Sequence, residues 1–320
     1  MHQIEMVSIE DLVPANHLYR RFTKLWSFVS VAQQLSPLMS DNNYKGFGLL
    51  RLFKCLLLQF MENLSDRELE KYLRENVSSK WFCGFTLMES TPDFSVFSKL
   101  RKKIGTNLLS EIFADLRTQL KAQGVMNETF SFIDATHLIS KATLWDERDK
   151  AIQSKYDKLN NETLPKVAND KQAKIGCKGK NKYWYGFKQH TSVDMQSGLI
   201  NKVAITPANV ADAHGFKHVA PTSGATYADK GYCTKPCQTE AKRRGLHLAA
   251  IKNNNMKDKN KDKDRWYSKI RAPYERVFSK RNKRVRYIGI AKNQFAGFMY
   301  AICFNLKRLV ALSIPDLCLT

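Results

Sequence analysis

Three acidic residues occupy positions where a carboxylate can do chemistry. Asp134 lies inside an apolar run that is typical of a strand, where a lone charge is costly unless it is paired or binds a cation. Asp229 ends a second apolar run, and Gly231 follows it and permits a sharp turn. Glu275 lies in a strongly basic stretch that is predicted to be helical. If two adjacent strands and a helix bring them together, these carboxylates would bind two hard cations through oxygen, and such a pair catalyses phosphodiester displacement.

Each of these acids also has an ordinary structural interpretation. Asp134 alone could be a strand-end acid that pairs with a Lys or Arg. Asp229 could simply begin a turn, since Asp and Gly both favour turns. Glu275 could be a helix-surface acid beside a basic neighbour. Their order along the chain and the charge around them favour a shared site.

The overall charge points to a polyanionic partner. The chain has 320 residues, with 52 Lys+Arg against 30 Asp+Glu, a formal net charge of +22. An excess of this size destabilises a compact fold unless a partner uses it, and the usual partner is nucleic acid. The 43% hydrophobic content supplies a sizeable core, which excludes disordered, collagen-like and coiled-coil chains.

The first 125 residues are predicted to form an all-helical domain. A buried helix is expected within 44–64, and Ser65 with Glu68 forms a capping-box pattern that opens a helix to about Glu75. Thr91-Pro92-Asp93 is a further start signal, and a last amphipathic helix covers 108–120 before Gly124. Such helices are typical of helix-turn-helix DNA recognition or of a plain bundle. On the first interpretation, three basic residues at a helix end would contact DNA: Arg101, Lys102 and Lys103.

Residues 126–320 predict an α/β domain with a mixed sheet flanked by helices. The basic tract at about 141–182 lacks periodicity and is interpreted as an excursion from the core. Strands are expected at 129–138, 185–194, 199–206, 225–229 and 246–251, helices at 209–219, 235–244, 266–281 and 291–312, and a solvated loop at 252–264.

Several other classes are disfavoured by the sequence. The apolar runs are interrupted by charges or too short to span a bilayer, and the N-terminus does not resemble a signal peptide. Seven cysteines, an odd number, are interpreted as reduced thiols of a cytoplasmic protein. The chain has no Gly-rich phosphate loop, no Gly-x-Ser-x-Gly elbow and no His-Glu-x-x-His pair. We therefore expect neither a membrane nor a small-molecule substrate as a partner.

The residues around the three acids resemble the catalytic blocks of DDE transposases, and more closely those of bacterial insertion sequences of the insertion-sequence-five family. The matching blocks are FIDAT around Asp134, YADKGY around Asp229 and IRAPYERVF around Glu275. The similarity covers nearly the whole chain. It implies an RNase H-like core, two Mg²⁺ ions (replaceable by Mn²⁺) held by the three acids, and transposition. The expected partners are double-stranded DNA, at the terminal inverted repeats and the target, and a second protomer, because two element ends must be paired. The expected location is the bacterial cytoplasm, on nucleoid DNA.

The resemblance also implies DNA contacts around the glutamate, where related enzymes carry a Tyr-x2-Arg-x3-Glu-x6-Lys signature. Arg271 and Glu275 match its spacing, which makes Arg271 a candidate phosphate contact. Tyr267 lies one residue too far from Arg271, and Lys283 lies one residue late because Asn282 occupies the expected position. A one-residue slip turns a helical side chain by about 100°. Tyr267 could stack on an unpaired base or pack between elements.

Two other functions remain open at this level. A metal-dependent nuclease of the same fold would hydrolyse nucleic acid without joining strands. A DNA-binding protein or inactivated copy would only occupy the repeat ends. The three intact acids argue against the second alternative.

Overall fold

The computed structural model describes residues 6–40, 46–140, 168–178, 182–252, 256, 259–274, 277, 282–312 and 319. The chain divides into two compact units, which we call the helical unit (Met1–Gln123 with Phe298–Thr320) and the sheet unit (Gly124–Gly297). The sequence placed a boundary near residue 125 and assigned all of 126–320 to the second domain. The structure instead groups the last part of the chain with the helical unit.

Several helices of the helical unit begin at side-chain caps. Ser65 caps its helix with a complete capping box to Glu68, as predicted. Asp93 caps the longest helix through the Ser95 amide, so the preceding proline lies before the helix and not in its first turn. That helix is broken at Gly105, whose φ of 65° is non-helical. The helices are α1 (Ile9–Leu12), α2 (Leu18–Leu25), α3 (Val29–Leu35), α4 (Leu49–Met61), α5 (Asp66–Glu75), α6 (Val77–Cys83) and α7 (Phe94–Ala122).

The C-terminal residues join the helical unit because a long apolar helix packs into its core. Phe298 lies against Phe113 with ring centroids 5.9 Å apart. The Cys303 thiol donates to the Leu57 carbonyl at 3.6 Å. This helix, which we number α11 (Ile290–Leu312), is long and apolar enough to cross a membrane by length and composition, alone among the described residues. In its most apolar window 61% is buried inside the protein, as in a core helix.

The sheet unit contains a mixed sheet with helices, which agrees with the predicted RNase H-like α/β class. The strand order is β2-β3-β1-β5-β6, and β4 also pairs with β3. β1 is antiparallel to β3 and parallel to β5. The elements in chain order are β1 (Phe130–Ile139), β2 (Lys174–Lys178), β3 (Lys182–Asp194), β4 (Ile200–Pro207), α8 (Asp212–Val219), β5 (Ala225–Ala228), α9 (Lys235–Arg243), β6 (His247–Ala250) and α10 (Lys261–Arg271).

Three predictions for this unit were wrong in part. β2 lies within the tract interpreted as an excursion, because Ile175 is buried opposite Tyr185 of β3 although lysines flank it. Residues 141–167 and 179–181 of that tract lie outside the described residues. The predicted loop 252–264 ends early, since Asn260 caps α10. The predicted helix 266–281 changes to a 3₁₀ turn at Ala272–Tyr274, where Pro273 disfavours a continuing α-helix.

Gly186 of β3 stands where the backbones of β1 and β3 approach closely. An added Cβ would lie 2.0 Å from the Leu138 carbonyl oxygen, which belongs to a buried strand and cannot move aside. We expect Gly186→Ala to lower the free energy of unfolding by at least about 2 kcal/mol, measured by urea denaturation.

Gly124→Ala is the matched control, because Gly124 has a positive φ of 69° and no atom within 4 Å of an added Cβ. It should cost about 1 kcal/mol from the backbone conformation alone. Equal losses in the two variants would contradict the steric explanation.

Candidate active site

The register of two parallel strands brings the first two predicted acids together. Ile133 of β1 pairs with Ala228 of β5. Asp134 directly follows Ile133, and Asp229 directly follows Ala228. Neighbouring strands lie about 4.8 Å apart, and residues in register point to the same face. The two carboxylates therefore project side by side from one face of the sheet.

Each carboxylate is partly held by its own backbone. Oδ1 of Asp134 accepts from the Ala135 amide at 2.8 Å, and Oδ1 of Asp229 accepts from the Lys230 amide at 2.7 Å. The two Oδ2 atoms accept no hydrogen bond from any residue that the structure describes. Two acceptor oxygens are thus available for a ligand at the same edge.

Burial makes the ionised form of Asp134 costly. Desolvation raises the pKa of Asp134 from 3.8 to about 6, and the neighbouring Asp229 charge also raises it. The Ala135 hydrogen bond and the charges of Arg271 and Lys178 oppose this rise. A carboxylate in this environment is stabilised by a bound cation.

Arg271, the last residue of α10, lies against Asp229. Its Nη1 atom is 3.3 Å from Oδ1 of Asp229, and its side chain is only 9% exposed. The guanidinium carbon lies 5.2 Å from the ring centroid of Phe132, two residues before Asp134 on the same face of β1. The structure thus brings Asp134, Asp229 and Arg271 together, with Arg271 paired to an acid where the sequence analysis expected a phosphate contact. Arg271 compensates the charge of Asp229.

Tyr267 packs between elements instead of facing solvent. It lies one helical turn before Arg271 on α10, is 6% exposed, and its ring centroid is 5.7 Å from that of Tyr227 in β5. Trp266 beside it is 53% exposed and contacts the same Tyr227 ring at 6.2 Å. The packing alternative for Tyr267 therefore accounts for its position.

Lys283 lies at the C-terminal end of β1, away from Asp134. The Ile139 amide donates to the Lys283 carbonyl at 2.6 Å, and Ile139 is five residues, or about 16 Å of strand, from Asp134. The Asn282 side chain accepts from the Arg284 amide at 3.0 Å. The backbone positions of Lys283 and Asn282 therefore do not place them next to Asp134 or Asp229. Glu275, the third predicted acid, lies outside the described residues.

The basic residues predicted for DNA contact in the helical unit have different environments. Arg101 directs its guanidinium at Asp66, with N–O distances of 2.8 and 2.5 Å, and at the Gln59 amide oxygen at 3.1 Å. Its side chain is 13% exposed, so it is engaged within the unit. Lys102 is exposed and Lys103 is half-buried.

Sequence reasoning missed two contributors to the site. Phe132 supplies the ring under Arg271, and the alternation of β1 could have indicated it, because Phe132 and Asp134 are two residues apart on one face. Lys178 of β2 acts electrostatically on Asp134. No sequence pattern distinguished Lys178 from the other basic residues of the tract 141–182, which has 11 Lys+Arg.

The two described carboxylates fit a divalent cation by their donor chemistry, because hard cations prefer carboxylate oxygen. No cluster of three or more His, Cys, Asp or Glu that could hold a metal occurs among the described residues. A complete oxygen site therefore requires a further ligand, and Glu275 is the predicted one.

The raised pKa of Asp134 predicts that this acid destabilises the cation-free protein. Above pH 6 the carboxylate is ionised in the folded state at a cost, whereas below pH 3.8 it is protonated in both states and the cost disappears. We expect Asp134→Asn to raise the free energy of unfolding in EDTA at pH 7 by about 1 to 3 kcal/mol. Urea denaturation from pH 4 to pH 7 measures this gain, which should shrink as the pH falls.

Asp170→Asn is the matched control for this gain. Asp170 is buried, but its carboxylate accepts from the amides of Gly289 at 3.0 Å and Gln172 at 3.2 Å. Its replacement should therefore lower stability. A loss of stability in Asp134→Asn at pH 7 would contradict the burial argument.

Comparison with known proteins agrees with this geometry. A family profile described as a transposase domain (DUF772) matches residues 7–103, and one described as a transposase DDE domain matches residues 129–306. A transposase for insertion sequence element IS1106 from Neisseria meningitidis serogroup B is 30% identical over 218 residues, which cover 62% of this chain and 72% of that protein. No solved structure matches the chain significantly. Because the DDE profile spans more than half of the chain and includes both paired aspartates, the chain belongs to the DDE transposases of insertion sequences, enzymes that cleave and transfer DNA.

Proposed function

We propose that this transposase, a member of the insertion-sequence-five family, binds the terminal inverted repeats of its own element, cleaves there and joins the freed 3′-end to double-stranded target DNA. Asp134, Asp229 and Glu275 would hold two Mg²⁺ ions, which Mn²⁺ can replace. The observation that carries the proposal is the in-register pair Asp134 and Asp229, with one oxygen of each uncommitted among the described residues. The bacterial cytoplasm, on nucleoid DNA, is the location that this function implies.

The chain's own residues perform the binding and orientation steps. Asp134, Asp229 and Glu275 would hold the two ions, which would supply activation of the attacking oxygen and charge neutralisation at the leaving 3′-oxygen. Asp134 and Asp229 fix the reaction centre on the rigid sheet, and Arg271, which lies over the Phe132 ring, holds the Asp229 carboxylate. The 3′-hydroxyl released by cleavage then acts as the nucleophile on the target strand in the same site.

DNA positioning is assigned to basic residues in both units. In the helical unit, Lys102 and Lys103 are the proposed phosphate contacts, because Arg101 is already engaged with Asp66. In the sheet unit, Lys283 is the proposed phosphate contact. Arg271, which is engaged with Asp229 in the same way, is proposed to position that carboxylate, with Tyr267 supporting it through α10. Such contacts contribute affinity but little sequence readout. A homodimer on DNA is proposed because two element ends must be held together.

The cation-ligand assignment predicts selective loss of cleavage. Asp229→Asn and Glu275→Gln should each reduce Mg²⁺-dependent cleavage of a labelled duplex carrying the flanking repeats to the EDTA background. Binding to that duplex should stay within about 2-fold, because a carboxylate contributes nothing favourable to phosphate affinity. Asp262→Asn is the control, since Asp262 lies on α10 with its side chain 90% exposed and should retain wild-type cleavage.

Cleavage retained in Asp229→Asn would overturn the assignment of Asp229. A duplex with a pre-cut 3′-end, incubated with a second duplex, separates the finer alternatives. Joined product is expected for strand transfer, whereas cleavage without joining would point to the nuclease alternative.

The two neighbouring basic residues on α7 should respond differently to truncation. Arg101→Ala removes the positive charge that faces the partly buried Asp66 carboxylate, so we expect a loss of about 1 to 3 kcal/mol in unfolding free energy. Lys102→Ala should change stability by less than about 0.5 kcal/mol and weaken DNA binding, with the salt dependence of log K reduced by about one. Urea denaturation and DNA titrations from 50 to 200 mM salt measure both. Wild-type DNA affinity in Lys102→Ala would contradict the assignment of Lys102 as a phosphate contact.

A further inference from the structure

A partly buried ion pair lies on the face of the sheet opposite to Asp134 and Asp229, because Lys188 pairs with His137, three residues from Asp134 along β1. The ammonium of Lys188 in β3 donates to Oδ1 of Asp212 at 2.8 Å and to the Val210 carbonyl at 2.9 Å. The Lys188 side chain is 13% exposed and that of Asp212 is 34% exposed. Asp212 is the first residue of α8. Because charge-assisted hydrogen bonds are strong in such surroundings, Lys188 fastens the beginning of α8 to β3.

The turn that follows Asp229 rests on this part of α8. It is a 3₁₀ turn, Lys230–Tyr232, in which the Tyr232 amide donates to the Asp229 carbonyl at 3.0 Å. A Cβ added at Gly231 would lie 3.3 Å from Oδ2 of Asp212. The Tyr232 ring is buried and lies 6.4 Å from the Phe216 ring of α8. Asp212 therefore lies against Gly231, and Phe216, four residues later in α8, packs against Tyr232.

Strand pairing alone does not fix the position of Asp229. The β1–β5 ladder ends at Ile133 and Ala228, so Asp229 lies one residue beyond the last pair. Asp134, in contrast, lies in the middle of β1 and is paired with Thr191 of β3. A cation site requires its ligands to be held within about 0.5 Å. Asp229 consequently needs support from outside the ladder.

Lys188 connects that support to the strand that carries Asp134. It pairs in register with His137, three residues after Asp134 in β1. The connection then runs from β3 through Lys188 to Asp212, and from Asp212 to the turn at Gly231. Asp134 lies on β1, which pairs with β3, and the turn after Asp229 is connected to β3 through Asp212 and Lys188. Both carboxylates are therefore positioned relative to β1 and β3.

We propose that Lys188 and Asp212 are positioning residues of the transposase, and that their ion pair holds the turn after Asp229 so that Asp229 and Asp134 can share divalent cations. The proposal rests on the assignment of Asp229 as a cation ligand made above. Lys188 and Asp212 act through the turn and do not touch the DNA or the ions. The Asp212 carboxylate lies against Gly231, where an added Cβ would be 3.3 Å from its Oδ2 atom.

The test uses a substitution that keeps net charge and approximate shape. Lys188→Met combined with Asp212→Asn removes one positive and one negative charge, so a change in cation affinity reflects position and not charge. We expect the dissociation constant for Mn²⁺, measured by calorimetric titration of the DNA-free full-length protein, to rise about 10-fold, in the range typical of outer-sphere changes. The Mg²⁺ concentration for half-maximal cleavage of repeat-end DNA should rise similarly.

The control is a second ion pair of similar build in the same unit. Arg244 Nε lies 2.6 Å from Oε1 of Glu240, with side chains 22% and 19% exposed, and Arg244 also donates to the Ala220 and Lys217 carbonyls. The combined Arg244→Met and Glu240→Gln variant should lower Tm by about as much as the Lys188→Met and Asp212→Asn variant does. It should leave Mn²⁺ affinity and the Mg²⁺ requirement within about 2-fold of wild type.

Wild-type Mn²⁺ affinity and Mg²⁺ requirement in the Lys188/Asp212 double variant would overturn the proposal, as would equal weakening in the control variant. If the double variant does not fold, Asp212→Glu keeps the charge and moves the carboxylate by one methylene. A weakening of Mn²⁺ binding by about 3-fold or more is then expected, and unchanged affinity would overturn the positioning role. Failure of the underlying assignment is distinguishable, because Asp229→Asn would then retain both Mn²⁺ binding and cleavage.

Discussion

The parallel pairing of β1 with β5 is the constraint on which the candidate active site depends. It pairs Ile133 with Ala228, the residues immediately before Asp134 and Asp229, so that two carboxylates separated by 95 positions in sequence share one face. A shift of one residue in either strand would turn one carboxylate to the opposite face. The remaining elements of the sheet unit can be understood as keeping this register and covering its two faces.

The site is costly to the folded protein in the absence of ligands. Asp134 is held where its ionised form is disfavoured, and Arg271 offsets part of the negative charge by lying against Asp229 over the Phe132 ring. This balance is common where groups are arranged for catalysis. It explains why an apolar strand carries an acid in its middle, which a purely structural strand would avoid.

Much of the local structure could be predicted from the chain itself. Capping at Ser65 and the hairpin of β3 with β4 depend on neighbouring residues, and both occur within a few positions of their prediction. β2 could not be predicted, because its lysine-rich sequence becomes a strand only by pairing with β3. The last helix, α11, was predicted correctly as a helix, but the membership of its residues from Phe298 onward in the helical unit depends on contacts such as Phe298 with Phe113.

For the candidate site, the sequence by itself determined the residue types: acids in or after apolar runs, Arg271 within a predicted helix, and a basic surplus suited to DNA. Those features are local, since they follow from periodicity, capping and charge. Only the tertiary structure decided that Arg271 lies against Asp229, that Arg101 is engaged with Asp66, and that Lys188 pairs with Asp212. These contacts join residues between 24 and 42 positions apart. Which of many possible partners a charged side chain meets is set by strand register and helix packing, and neither can be deduced from the residues nearby.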